Sequence, residues 1–87
     1  MIVETQEARL KRLKMRSWRR GTKEMDLILG PYSDAELYNM PEAELQVYEQ
    51  LLSENDQDLY QWVTGQKPTP DAFRELMEKI TLAANSR

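Results

Sequence analysis

The chain contains neither cysteine nor histidine. No disulfide can staple it, and no redox compartment can be inferred. Together the two absences remove the usual zinc ligands, the Cys and His nucleophiles, and the imidazole that serves as acid or base near neutral pH. A carboxylate or tyrosine mechanism survives, but an ordinary hydrolytic or metal-dependent site has few residues left to build from, and the chain reads as a non-enzyme. Glycine is scarce too: the three residues, at positions 21, 30 and 65, are scattered, so no phosphate-cradling glycine loop exists. No apolar run approaches the ~18 residues of a membrane span. The segment Met1–Glu7 lacks the basic and apolar regions of a secretory signal. The expectation is a soluble intracellular protein without membrane insertion.

What is present is unevenly charged. Residues 1–23 carry eight of the twelve Lys/Arg against Glu4 and Glu7, a net +6, whereas residues 24–87 carry four against thirteen carboxylates, a net −9. Either the basic end meets an anionic partner, or it lies against the chain's own acidic remainder. With 87 residues the chain should form one domain, 1–87, of modest stability margin, because so small a domain buries little more than ~60% of its unfolded surface.

Helical periodicity dominates the order of the chain. Residues 5–19 form a first helix, capped by Thr5, with Ala8, Leu10, Leu13 and Trp18 as an imperfect apolar stripe among Arg9, Lys11, Arg12, Lys14 and Arg16. A second helix starts at Thr22 and buries Met25, Ile28, Leu29, Tyr32 and Leu37. Pro31 interrupts it, at a cost of ~3 kcal/mol if unrelieved. The continuing apolar spacing favours a kinked helix over a new one beginning at Ser33. Pro41 opens a third helix with Leu45, Tyr48, Leu51 and Leu52 inward. Asn55 or Asp56 caps a fourth, carrying Leu59, Trp62 and Val63 and ending at Gly65. Thr69 and Pro70 start a fifth, with Phe73, Leu76, Met77, Ile80 and Ala83 on one face. Residues 1–4 and 85–87 should fray. No strand alternation or hairpin signal appears. The fold class is all-α, a compact bundle of about five short helices.

The densest polar cluster is the junction Arg19-Arg20-Gly21-Thr22-Lys23-Glu24-Met25-Asp26. A capped helix corner would place Glu24 in the first turn, where a carboxylate suits the helix dipole, and Arg20 could reach it across the turn for ~0–1 kcal/mol. Both charge signs on one rigid corner also suit recognition of a polar partner surface. Downstream, in Asp58-Leu59-Tyr60-Gln61-Trp62, Leu59 and Trp62 read as core and Asp58 as support for the helix start, while Tyr60 falls off the stripe and is open to a contact role.

At Arg20-Gly21-Thr22-Lys23-Glu24-Met25-Asp26-Leu27-Ile28-Leu29 the chain resembles the flavinylation factor of succinate dehydrogenase, a small FAD assembly factor whose mitochondrial relatives are succinate dehydrogenase assembly factor 2. The hallmark R-G-x-x-E is present as Arg20, Gly21 and Glu24. Two further blocks match in order: Asp56-Gln57-Asp58-Leu59-Tyr60-Gln61-Trp62, and the connector Lys67-Pro68-Thr69-Pro70. Gly30-Pro31 departs from the family's ordinary helix formers. The resemblance implies a five-helix protein that binds the flavoprotein subunit of succinate dehydrogenase, and in some bacteria that of fumarate reductase, and promotes covalent attachment of FAD to it. It implies a docking surface at Arg20, Gly21 and Glu24, with Arg19, Lys23 and Asp26 as neighbours. The FAD is attached to the client, with none bound stably by this chain, and the free protein is expected to be monomeric. Its location would be the bacterial cytoplasm, or the mitochondrial matrix for a trimmed eukaryotic protein. The rival expectation is a nucleic-acid-associated or regulatory binder that uses the basic first helix. Against it, the remaining −9 would repel DNA or RNA, so no nucleic acid is expected.

Overall fold

The computed structural model describes residues 3–86; Met1, Ile2 and Arg87, part of the ends expected to fray, lie outside them. Five α-helices follow in order: α1 (Gln6–Trp18), α2 (Lys23–Glu36), α3 (Glu42–Leu52), α4 (Asp56–Val63) and α5 (Arg74–Asn85). Single 3₁₀ turns, Leu37–Asn39 and Asp71–Phe73, precede α3 and α5. No strand occurs among the described residues, in keeping with the all-α expectation. The bundle measures 42 × 25 × 23 Å.

Local chemistry explains the helix ends. The Thr5 side chain accepts from the Ala8 N–H and starts α1, and Thr22 does the same for Met25 at the start of α2. Asn55, rather than Asp56, caps α4 by accepting from the Gln57 N–H. Gly65, at φ +78°, closes α4: the Gln66 N–H bonds back to the Gln61 carbonyl and the Gly65 N–H to that of Trp62. These paired bonds form a Schellman motif, whose left-handed residue is nearly always glycine. Pro41 sits one position before α3, as its cap. The start of α5 moves further: Pro70 is extended, the 3₁₀ turn follows, and the α-helix begins at Arg74. Phe73 is where the two geometries meet (φ −111°, ψ 2°), and its buried ring lies 6.0 Å from that of Trp62. Tertiary packing of that ring overrides the local start signal of Thr69-Pro70. At the other end, Ser86 donates to the Leu82 carbonyl from both N–H and Oγ, closing the last turn of α5.

The core is a single cluster drawn from all five helices, including Leu13, Met25, Leu29, Leu45, Tyr48, Leu51, Leu59 and Ile80, each fully buried. Helix α2 is central, lying along α1 and touching α4 and α5, while α3 packs against α1 and α5. It runs unbroken through Pro31, as one helix. The buried face of α1 differs from the expected stripe. Leu10, Leu13 and Ser17 face inward, whereas Ala8 and Trp18 are exposed. Ser17 can be buried because its hydroxyl donates to the Leu13 carbonyl at 2.8 Å and meets the Tyr48 hydroxyl at 2.6 Å. Trp18 lies over Gly30 instead. A Cβ on residue 30 would fall 2.3 Å from the indole, so only glycine permits this crossing of α1 and α2. Gly30 is therefore a packing device.

Candidate functional site: the corner and its facing helix

The α1–α2 corner is held by two carboxylates. Asp26, one turn into α2, reaches back so that its Oδ1 accepts from the Arg20 N–H at 2.5 Å. Asp56, the first residue of α4, accepts from the Gly21 N–H through Oδ2 at 2.5 Å and from Arg20 Nε through Oδ1 at 2.7 Å. The rest of the Arg20 guanidinium donates to the carbonyls of Leu52 at 2.7 Å and Glu54 at 2.9 Å. These carbonyls lie where α3 ends, so Arg20 satisfies acceptors that the helix terminus leaves open. One arginine thereby ties the corner to the end of α3 and the start of α4. Its side chain is only 10% exposed, and that of Asp56 13%.

Arg20 does not pair with Glu24 across the turn; it turns inward to Asp56, 36 positions away. The longer-range partner wins because three charge-assisted bonds, partly shielded from water, outweigh one exposed ion pair. Glu24 is left exposed, with no ion pair or side-chain hydrogen bond among the described residues. Of the six residues singled out, Arg20 and Asp26 shape the corner and Gly21 anchors it. Arg19, Lys23 and Glu24 project outward.

Tying the corner to α4 creates a cleft of about 870 Å³. Arg19, Arg20, Gly21 and Glu24 form one wall; Lys23 and Asp26 lie outside it. Asp56, Gln57, Tyr60 and Gln61 form the other. Asp56, Gln57 and Gln61 were not among the residues expected at the site. The available signal was the Asp56–Trp62 block, whose match to the family stood apart from the corner only along the chain. In space the two blocks make one site. Tyr60 is 40% exposed, as its place off the core stripe implied.

The basic end is largely neutralised from within. Arg9 binds Glu42 and Glu49, Arg12 binds Glu4 and Glu49, and Lys14 binds Asp34. Lys11 pairs locally with Glu7, and Arg20 with Asp56. The carboxyls feel it. The hydrogen bond from Arg9 holds Glu42 below its ordinary range, that from Arg12 does so for Glu49, and Asp34 is lowered by the Trp18 indole N–H and then by Lys14. Of the eight cations, Arg16 meets only the Ser53 hydroxyl, while Arg19 and Lys23 have no partner among the described residues. No group of carboxylates that could hold a metal occurs among the described residues, and no helix is long and apolar enough to cross a membrane.

These features define a small helical protein whose accessible chemistry is a polar cleft on a rigid corner. The family described as the flavinator of succinate dehydrogenase matches residues 11–83, and the chain belongs to it. The chain is 42% identical over 67 residues to mitochondrial succinate dehydrogenase assembly factor 2 of Mycosarcoma maydis, covering 77% of this chain and 28% of that protein. Against the protein of the same name in Schizosaccharomyces pombe it is 37% identical over 71 residues, covering 82% of this chain and 51% of that one. For Danio rerio the figures are 34% over 80 residues, 88% and 51%. The chain thus spans about half, or less, of the length of these relatives.

Proposed function

We propose that this chain is an assembly factor for succinate dehydrogenase, one that binds the flavoprotein subunit and promotes covalent attachment of FAD to it. Membership of the flavinator family carries the reading. The open cleft at the R-G-x-x-E corner supports it, since a rigid surface of mixed charge suits a specific protein partner. Covalent flavinylation needs a nucleophilic side chain aligned with a flavin methyl carbon, and stabilisation of the negative charge that develops on the ring system. This chain has no histidine, so a histidine nucleophile belongs to the client. The chain acts without catalytic residues of its own, by holding the client's parts so that the client's own groups react, a proximity effect. FAD ends on the client, and the chain keeps no cofactor. The nucleic-acid reading gains no support, because five of the eight basic residues of the first segment already bind carboxylates of the same chain.

The test is Gly21→Arg. A Cβ there would already meet Asp56 Oδ2 at 3.0 Å, and a long side chain would enter the cleft. Covalent flavin on the client, read by in-gel fluorescence, should fall to the level seen without this protein. Helical circular dichroism should stay near that of the wild type. Flavinylation at the wild-type rate would overturn the proposal.

A further inference from the structure

The cleft walls hold six side chains whose hydrogen-bonding capacity is unspent within the chain. Arg19 and Glu24 stand on the corner side, and Gln57, Tyr60, Gln61 and Gln66 on the α4 side; none of these side-chain polar groups has a hydrogen-bond partner among the described residues. Groups in this state are satisfied by water when the protein is free and by a partner when it is bound. Their chemistry is selective. Small-molecule and cofactor pockets are lined mainly by apolar and aromatic side chains with few polar groups. Here the accessible groups are three carboxamides, one tyrosine, one cation and one anion, and of all eleven lining residues none is aliphatic and only Tyr60 is aromatic.

A carboxamide carries a carbonyl acceptor beside an N–H donor, the same pair that a peptide unit displays. Gln57 and Gln61 are four residues apart on α4, and so lie above one another on one helix face. Gln66 follows where the Schellman turn returns the chain. Gln57 and Gln61, about 6 Å apart along the helix axis, are spaced to meet peptide units two residues apart on an extended backbone, which repeats at about 6.6 Å, and Gln66 lines the same cleft. Arg19 adds a site for a carboxylate, and its guanidinium suits a forked pair.

We propose that the cleft binds an extended polypeptide segment of the client flavoprotein, its backbone amides meeting Gln57, Gln61 and Gln66 and an acidic side chain meeting Arg19. The flavin is not its occupant. The inference rests on the function proposed above and names what the site takes. Tyr60 covers the segment with its ring, and Glu24, on the facing wall, repels a second carboxylate and so sets the direction in which the segment lies.

Binding of purified apo-flavoprotein is measured first with the wild-type chain, by calorimetry, and then with the Gln57→Ala/Gln61→Ala double variant and with Arg19→Glu. Both variants replace exposed or half-exposed side chains without internal partners, so their melting temperatures should match the wild type. The expected result is a loss of about tenfold or more in affinity for each, the size of one or two hydrogen bonds to a buried partner. A photoreactive residue placed at Tyr60 should cross-link to one contiguous peptide of the flavoprotein that carries an Asp or Glu. Free FAD is titrated in parallel with the chain alone. Wild-type affinity in both variants, or cross-links scattered over unrelated peptides, would overturn the cleft assignment while leaving the assembly role standing. Saturable quenching of free FAD that Tyr60→Ala abolishes would give the cleft to the flavin and overturn the proposal. Failure of the wild-type chain to bind the flavoprotein would overturn the assembly reading itself, and this inference with it.

Discussion

At the scale of single residues, Asp56 and Gly30 carry more than their residue types suggest. Asp56 accepts from both Arg20 Nε and the Gly21 N–H, so one carboxylate sets the position of the corner against α4. Asp56→Asn keeps the shape but removes the charge and turns an N–H₂ group toward one of the two donors. The loss should be about 1.5–3 kcal/mol, the range for hydrogen bonds to charged groups. Urea denaturation with an unchanged slope would measure it. Arg20→Lys should cost a similar amount, because a point charge cannot reproduce three bonds from a planar fork. The two effects should be strongly non-additive in a double-mutant cycle, whereas additive losses would show that the residues act separately. Gly30→Ala tests packing. Its Cβ would lie 2.3 Å from the Trp18 ring, which must swing outward and give up its bond to Asp34. A loss of about 1–3 kcal/mol is expected for such overpacking, with tryptophan emission shifted to the red. An unchanged stability would mean that the indole finds an equivalent place.

At the scale of helices, what was legible depended on whether the signal was local. Periodicity located the buried faces of α3 and α5, and caps and Gly65 marked where helices start and stop, because those effects act within one turn. The apolar spacing on both sides of Pro31 favoured a kinked helix over a new one without deciding its continuity, and α2 runs through Pro31 as one helix. Three things were not legible. The start of α5 slipped to Arg74 because Phe73 packs on Trp62. The buried position Ser17 gave no hydrophobic signal, since its burial depends on Tyr48, 31 positions away. The partner of Arg20 lies 36 positions away, so the local candidate, Glu24, looked better than the true one. The corner could thus be found as a site, but its second wall could not. The Ser17–Tyr48 contact gives a test of how α1 is held to α3. Ser17→Ala leaves the Tyr48 hydroxyl buried without its partner, at a cost of about 1–3 kcal/mol. Adding Tyr48→Phe removes the stranded group and should recover part of that loss. A double variant weaker than the sum of the singles would refute this account.

At the scale of the whole molecule, the basic helix and the acidic remainder neutralise each other, and two buried tyrosines set the opposite limit, so stability should depend on pH at both ends. On the acid side, Glu49 is held below its ordinary value of 4.5 chiefly by its hydrogen bond from Arg12. The folded state binds that proton less readily than the unfolded chain. The contribution is therefore present above 4.5 and lost as pH falls below it, with Asp34 and Glu42 acting in the same direction. Glu49→Gln should flatten this acid limb. On the alkaline side, burial pushes Tyr32 and Tyr48 up to about 12 from an ordinary 10.0. Both groups keep their protons in the folded state at pH values where the unfolded chain has begun to lose them. Their contribution is complete below pH 10.0 and falls away between 10.0 and about 12. Each contributes a slope of up to about 1.4 kcal/mol per pH unit in that window. Tyr32→Phe should remove one such share, and it leaves the Ser17–Tyr48 bond in place. Denaturant midpoints taken from pH 9 to 12 should then diverge, with the variant losing less than the wild type as pH rises. Parallel curves would mean that the Tyr32 hydroxyl ionises in the folded protein as readily as in the unfolded one, so that its burial places no limit on the alkaline stability of the bundle.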